Sequence, residues 1–217
     1  MAASGECIAL VPERGFRSGK SRLSPVLTPE ERDELGRWML GRVLIALRES
    51  NSVGRVAVLS EDDEVLAFAG ENGAAGIRCE DAEMNADLEK GRAWSISKGA
   101  GALLIIPGDL PALRAVEVDS LIDLGEKTNG EKGRAVLTPA LDGGTNGIYL
   151  RPADALPFSF GPGSFKRHSA AAKAAGLEVS RFESLGLCLD VDRPSDIVAF
   201  LRSGVPAPEW LTAIPLP

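Results

Sequence analysis

Ala102-Leu103-Leu104-Ile105-Ile106-Pro107-Gly108-Asp109-Leu110-Pro111 decides how the rest of the chain is read. Five apolar residues run into Pro-Gly, and an aspartate follows at once. A short all-apolar run of this kind reads as a strand covered on both faces, as in a parallel sheet flanked by helices. Gly108 lets the chain turn off the strand end. Asp109 then falls at the carboxyl edge of the sheet, where open α/β folds bind ligands. Taken alone, an aspartate after strand and glycine serves equally well as a helix cap. Further acids and loops elsewhere weigh toward a metal-binding carboxylate.

Working outward, strands and helices alternate. Cys7 to Val11 is a first strand closed by Pro12, and Arg55 to Ser60 a second. Gly76 to Cys79 is a third, shorter one. Between the first two lies a helix opened by Thr28, Pro29 and Glu31, a capping box with proline in the first turn. Its apolar positions Leu35, Met39, Val43 and Leu47 step by four, which predicts a face packed on the sheet. Helices are expected at 62–69 and at 85–98, the latter with Leu88, Trp94 and Ile96 as core contacts, and another at 116–124. After the strand Ala135 to Pro139, the glycine-rich turn Leu141 to Gly147 leads straight into Ile148-Tyr149-Leu150. With no helix between them, those two strands should pair antiparallel. A helix from Ser164 to about Ala175, strands at 177–181 and 187–189, and a last helix ending near Arg202 complete the pattern. The expectation is an α/β, Rossmann-like fold with a mostly parallel central sheet, one antiparallel strand and helices on both faces. Residues 1–217 are expected to form a single domain, with 204–217 as an extended, proline-containing C-terminal tail.

Composition narrows the function. The 217 residues are 44% hydrophobic and 25% charged, enough to bury a core and keep a solvated surface. A net charge of -7 argues against a nucleic-acid partner. No run is long enough to span a membrane and no signal-peptide layout is present, so a cytoplasmic protein is expected. Cys7, Cys79 and Cys188 lack metal-ligand spacing and read as reduced core residues.

Three groups of residues carry chemistry. The loop Glu13 to Ser24 holds Arg14, Arg17, Lys20 and Arg22. It approaches the Gly-x4-Gly-Lys-Ser phosphate loop, but the position five before Gly19 is Arg14, and the helix starts too late for that motif. What remains is a basic loop at the sheet edge, either solvated or cradling a polyphosphate through Lys20 and Arg22. The second group is Asp109, Asp190 and Asp192. Asp190 and Asp192 share one face of an extended strand end. Converging carboxylates need a cation, and magnesium takes a few of them together with substrate phosphates. Asp192 is also placed to cap the last helix. The third group is Gly143-Gly144-Thr145-Asn146-Gly147 with Gly161-Pro162-Gly163-Ser164, where amides, hydroxyls and a helix start make an anion site or simply turns. His168, the sole histidine, shares a helix face with Ser164, and a structural role outweighs catalysis for it.

Together these motifs resemble the guanylyltransferases that make the activated three-carbon donor for coenzyme F-420, known by their substrates as 2-phospho-L-lactate, phosphoenolpyruvate or 3-phosphoglycerate guanylyltransferases. The features that carry the resemblance are Val11-Pro12, Gly19-Lys20-Ser21-Arg22-Leu23, Asn85 in Met84-Asn85-Ala86-Asp87-Leu88, and Gly108-Asp109-Leu110-Pro111. Thr145, the run from Phe160 to His168, and Asp190-Val191-Asp192 through Asp196 complete them. The family usually has a lysine two residues after Val-Pro; here Arg14 stands there, preceded by Glu13. Met84 replaces an expected leucine.

The resemblance implies a glycosyltransferase-A-type nucleotidyltransferase fold. It implies a nucleotide site of Pro12, Gly19, Lys20, Asn85 and Gly108, and an acceptor site of Thr145, Gly161 and Ser164. It also implies magnesium on Asp109, Asp190 and Asp192, and catalysis by Lys20, Arg22 and Asp109. Implied partners are GTP and a small phosphorylated three-carbon acid, with product passed to the next transferase and a homodimer left open. The acceptor phosphate is already anionic, so in-line attack on the α-phosphorus of GTP needs no protein nucleophile. The rival readings are a molybdopterin guanylyltransferase-like enzyme, whose Gly-x-Gly-x-Arg loop is missing here, and a non-catalytic nucleotide-binding regulator.

Overall fold

The computed structural model of the chain describes residues 5–16, 19–80, 83–127 and 132–214. Arg17 of the basic loop and the last three residues of the expected tail lie outside the described residues. Seven strands share one sheet: β1 (Glu6–Pro12), β2 (Arg55–Ser60), β3 (Ala75–Arg78), β4 (Ala100–Ile105), β5 (Arg134–Pro139), β6 (Thr145–Arg151) and β7 (Glu178–Arg181). Their order is β3-β2-β1-β4-β6-β5-β7. β1 to β4 run parallel, and β7 is parallel to β5. β6 is antiparallel to both β4 and β5, as the direct glycine turn predicts. The reversal matters for the site. It brings the amino end of β6, not its carboxyl end, to the edge where β1 and β4 finish.

β4 lies between β1 and β6, and Ala102 to Ile106 are fully buried. Its period-two alternation feeds two cores. Ala102, Leu104 and Ile106 pack with Val43 and Leu47 of α1 (Pro29–Glu49) and with Val118 and Leu121 of α4 (Ala115–Glu126). Leu103 and Ile105 face the other way, with Leu88 of α3 (Met84–Ser97) and Ala172 of α5 (Ser164–Ala174). The remaining helices are α2 (Asp63–Glu71), α6 (Leu185–Cys188), α7 (Pro194–Arg202) and α8 (Glu209–Thr212). No helix among the described residues is long and apolar enough to cross a membrane.

α1 begins at the predicted capping box: Thr28 Oγ1 accepts from Glu31 N and Glu31 Oε2 accepts from Thr28 N. All four of its stepped apolar residues are buried, but they divide between two cores. Val43 and Leu47 meet the sheet, whereas Leu35 and Met39 meet a third core with Leu23, Val191, Ile197 and Phe200. That third core ties the basic loop and the Asp190–Asp192 segment to one helix.

Three expectations are corrected. The run at 187–189 is part of a helical turn, α6, because Cys188 N bonds to Ser184 O (3.0 Å) and Glu117 Oε1 accepts from Gly186 N (3.1 Å). Short apolar runs do not distinguish a strand from a buried helical turn. Ile96 is 46% exposed, on the outer side of α3. The C-terminal tail is not extended throughout: α8 follows Pro208, and Leu211 is buried in the third core. Cys7 and Cys79 are buried and Cys188 half-buried, all as free thiols. Burial pushes the Cys7 thiol up to about 12, which keeps it inert.

Candidate active site

The parallel ladder continues past β4, with Ile106 N donating to Leu10 O (3.1 Å). Pro107 and Gly108 then release the chain, and Asp109 lands beyond the sheet edge. Gly108 passes close to the Glu13 carboxylate, which a side chain at that position would push aside. The main-chain oxygen of Asp109 accepts from Val191 N (3.1 Å), which draws the Asp190–Asp192 segment alongside.

Lys20 enters from the loop after β1. Gly19 N closes a turn on Gly15 O (3.0 Å), and Lys20 follows in a left-handed conformation, φ 54 and ψ 33. Among the described residues it is the one non-glycine residue with positive φ. Such a conformation costs about 1–2 kcal/mol, so it persists only where neighbours hold it. Here Leu23, which is fully buried, donates its N–H to Lys20 O (2.9 Å). The ammonium lies 2.6 Å from Asp109 Oδ2 and 3.8 Å from Asp192 Oδ1. Burial pulls the Lys20 pKa down, but the Asp109 charge and hydrogen bond, with Glu13 and Asp192 behind them, more than offset this and raise it. Arg22 Nη1 meets Asp192 Oδ2 at 2.5 Å. Asp192 is not a helix cap. That task falls to Asp196, whose Oδ2 accepts from Asp192 N (3.1 Å) and Arg193 N (2.7 Å).

The structure therefore brings Lys20, Arg22, Asp109 and Asp192 together, but not as a cage of three carboxylates. Asp190 Oδ1 instead accepts from Asn146 Nδ2 (2.9 Å) at the amino end of β6. Burial raises the Asp190 pKa against that hydrogen bond, and the Asp109 charge adds to the rise. Among the described residues no three His, Cys, Asp or Glu side chains are grouped closely enough to hold a metal ion. The Lys20 ammonium supplies positive charge between Asp109 and Asp192. One feature does fit a divalent cation: Asp109 Oδ1 is buried with no hydrogen-bond partner. A buried carboxylate oxygen left unpaired is costly. Magnesium needs only one or two carboxylates when phosphates supply the rest.

Glu13 joins this group without having been singled out from sequence. Burial drives its carboxyl up to about 7, with Lys20 pulling it down and Asp109 pushing it further up. Its signal was legible: it follows Val11-Pro12 at the end of β1 much as Asp109 follows the end of β4. Glu13 also lines a cleft with about 510 Å³ of open volume, together with Pro12, Arg14, Leu59, Met84 and Asp87.

A second cluster sits at the amino end of β6. Thr145 Oγ1 lies 2.9 Å from Ser164 Oγ and 3.1 Å from His168 Nδ1, although 19 and 23 positions separate them in sequence. His168 Nε2 accepts from Ser159 N (2.9 Å), and the Phe160 ring packs edge-on to the imidazole at 4.9 Å. Ser164 and His168 are fully buried, while Thr145 retains 8% exposure. Ser164 opens α5 behind Gly163, which holds φ 68, and Gly161 holds φ 123. Gly161 is thus needed for its backbone angle; only Arg167 Nη2, at 3.8 Å, lies near the space a side chain would take. Asn85 bridges the clusters. Its Oδ1 accepts from Phe160 N (2.7 Å) and its Nδ2 donates to Phe160 O (3.3 Å), so its amide braces the glycine loop. Its neighbours Met84 and Asp87 face the cleft.

A reversed strand inside a parallel sheet, with a basic loop after β1 and an aspartate after β4, is the arrangement of the nucleotide-diphospho-sugar transferase fold. A protein of Desulfovibrio desulfuricans G20 described as a nucleotide-diphospho-sugar transferase superposes with a TM-score of 0.75 at 16% identity, over 94% of this chain and 89% of that one. A 4-diphosphocytidyl-2C-methyl-D-erythritol synthase superposes with a TM-score of 0.62 at 13% identity, over 92% of this chain and 99% of that one. The chain belongs to the family described as "Guanylyl transferase CofC like", whose profile matches residues 7–214. Among its relatives is a phosphoenolpyruvate guanylyltransferase of Rubrobacter xylanophilus, 44% identical over 90% of this chain and 94% of that protein. Another is a 2-phospho-L-lactate guanylyltransferase of Methanothermobacter thermautotrophicus, 34% identical over 90% of this chain and 84% of that protein.

Proposed function

We propose that this protein transfers the guanylyl group of GTP to the phosphate of a small phosphorylated three-carbon acid and releases pyrophosphate. The observation that carries the reading is the match of residues 7–214 to the guanylyl transferase family. The relatives named above act, by name, on phosphoenolpyruvate and 2-phospho-L-lactate.

The chain's own residues fit the task. The acceptor phosphate is anionic at neutral pH, so one of its oxygens attacks the α-phosphorus of GTP. The new P–O bond forms as the bond to the β-phosphate breaks, and pyrophosphate carries away the electron pair. No side chain has to become a nucleophile, in keeping with a buried neutral histidine and with Cys7 and Cys79 buried. The work is to bring two polyanions together and hold them in line. Lys20 and Arg22 are the cations for the triphosphate, and Pro12 and the cleft beside Met84 would take the nucleoside. Thr145, with the backbone at Gly161 and Ser164 behind it, would take the acid. Asp109, with Asp190 or Asp192, would hold magnesium, which supplies charge neutralisation at the phosphates when bound. The product is a phosphoanhydride, an activated donor that suits hand-over to a following transferase.

The test is pyrophosphate release from GTP with magnesium and, in turn, phosphoenolpyruvate, 2-phospho-L-lactate and 3-phospho-D-glycerate. Release with one acid and not with ATP in place of GTP is expected. No release with any acid would return the reading to a nucleotide-binding regulator.

A further inference from the structure

The hydrogen atoms of the second cluster can be assigned by counting donors. Ser159 N–H is a backbone donor and points at His168 Nε2 (2.9 Å), so Nε2 must be an acceptor. A neutral imidazole with its lone pair on Nε2 carries its proton on Nδ1. The ring is neutral in the fold, because burial pushes its pKa down to about 4, with the Arg167 charge adding to the effect. Nδ1–H therefore donates to Thr145 Oγ1 (3.1 Å).

The bond between the two hydroxyls has two possible directions. If Thr145 donated to Ser164, the Ser164 hydrogen would be left over in a fully buried side chain with no further side-chain partner among the described residues. An unpaired buried donor is expensive. If Ser164 donates to Thr145 at 2.9 Å, every buried hydrogen is satisfied. The hydrogen left over then belongs to Thr145, which alone of the three retains accessible surface.

A hydroxyl has two acceptor lone pairs and one hydrogen. We propose that His168 and Ser164 are positioning residues that fill both lone pairs of Thr145, so that Thr145 meets a ligand only as a hydrogen-bond donor. Such a hydroxyl binds a phosphate or carboxylate oxygen and turns away ligand N–H and O–H groups. The opposite imidazole tautomer would abolish this: Thr145 would spend its hydrogen on Nδ1, and none would remain for a ligand. The inference rests on the acceptor-site reading above, but the tautomer itself is independent of any substrate.

The sequence contains one histidine, so its ring signals in a ¹⁵N-histidine-labelled sample are unambiguous. The intact protein without ligand should show a protonated Nδ1 and an unprotonated Nε2 at neutral pH. A proton on Nε2 overturns the proposal. The second measurement is calorimetric affinity for the accepted acid, beside that for GTP. His168→Leu presents no donor to Thr145 and should weaken acid binding by about tenfold with GTP affinity preserved. His168→Asn places an amide N–H where Nδ1–H was and should recover most of that loss. Equal losses for acid and GTP, or no recovery with asparagine, would mean that His168 merely fills space. If the tautomer is as assigned and the wild type binds no phosphorylated acid, the hydroxyl arrangement stands and the functional reading falls.

Discussion

Lys20 and Thr145 occupy the same edge of the sheet, one after β1 and the other opening β6, and they are held there by different forces. Lys20 is fixed by charge: Asp109 at 2.6 Å, Asp192 at 3.8 Å, and Glu13 close behind. Thr145 is fixed by hydrogen-bond direction, between two buried neutral groups at 2.9 and 3.1 Å. Charge and direction constrain a bound group differently. A charged network can exchange partners: under the proposed function, phosphates would give the Lys20 ammonium new anions to bind and free Asp109. A neutral network cannot exchange, since every buried hydrogen is already committed, so it offers one fixed donor. Under the proposed function, the charged side would rearrange around the nucleotide and the neutral side would stay still around the acid.

The sharpest way to break the comparison is at its charged half. Asp109→Asn should lower turnover by at least about 10²-fold with the fold retained, because it weakens the hold on the magnesium proposed to neutralise charge at the phosphates. Circular dichroism would check the fold, and steady-state rates at saturating magnesium the chemistry. Near-normal turnover would remove Asp109 from the mechanism.

Lys20→Ala should cost less. The loss of one charge-assisted contact corresponds to about 10- to 100-fold in GTP affinity. Calorimetry should show this loss for GTP with magnesium while affinity for the acid alone changes little. Similar losses for both ligands would mean that the two halves are not separable.

Ser164→Ala probes the neutral half. Ser164 is fully buried and would act through Thr145, so the loss is that of a neutral hydrogen bond, about 2- to 10-fold in the Michaelis constant for the acid. The constant for GTP should hold. An equal rise for GTP would show that the hydroxyl cluster serves the whole edge rather than one ligand.

Much of this was legible in the chain itself. The all-apolar run ending at Asp109 marked the central strand because β4 is covered on both faces and has no polar side to show. The reversed strand β6 followed from a turn too short for a crossover. The pairing of Thr145 with Ser164 was also within reach, since both flank glycine turns. Other features depend on contacts that no local pattern encodes. The helical turn at Leu185–Cys188 exists because Glu117, far away on α4, accepts from Gly186 N. Asn85 spends its amide on Phe160, 75 positions on. Ser159, whose backbone N–H sets the state of the histidine, carries no signal in its side chain at all. Spacing shows which acids converge but not which basic side chain joins them. Lys20 comes between Asp109 and Asp192 through a left-handed backbone that sequence does not announce.

The smallest expected effect is on stability, and it isolates the neutral half. In the fold, burial holds His168 at about 4, with Arg167 adding to the shift; an unfolded chain takes up that proton near 6.5. Between these values the unfolded state binds more protons than the native state, so the histidine's contribution to stability falls as pH drops from 6.5 toward 4. Above 6.5 it is neutral in both states and adds no slope. Glu13, raised to about 7, works in the opposite direction: from about 4.5 to 7 the native state holds the proton that the unfolded chain releases. A single curve of stability against pH therefore mixes the two. The difference between wild type and His168→Asn removes Glu13, because it is common to both. Urea unfolding of the two proteins from pH 7.5 down to 4.5 should give a difference that is flat above 6.5 and moves steadily against the wild type below it. A flat difference throughout would mean that His168 titrates alike in both states, and that the buried neutral ring is not what anchors Thr145.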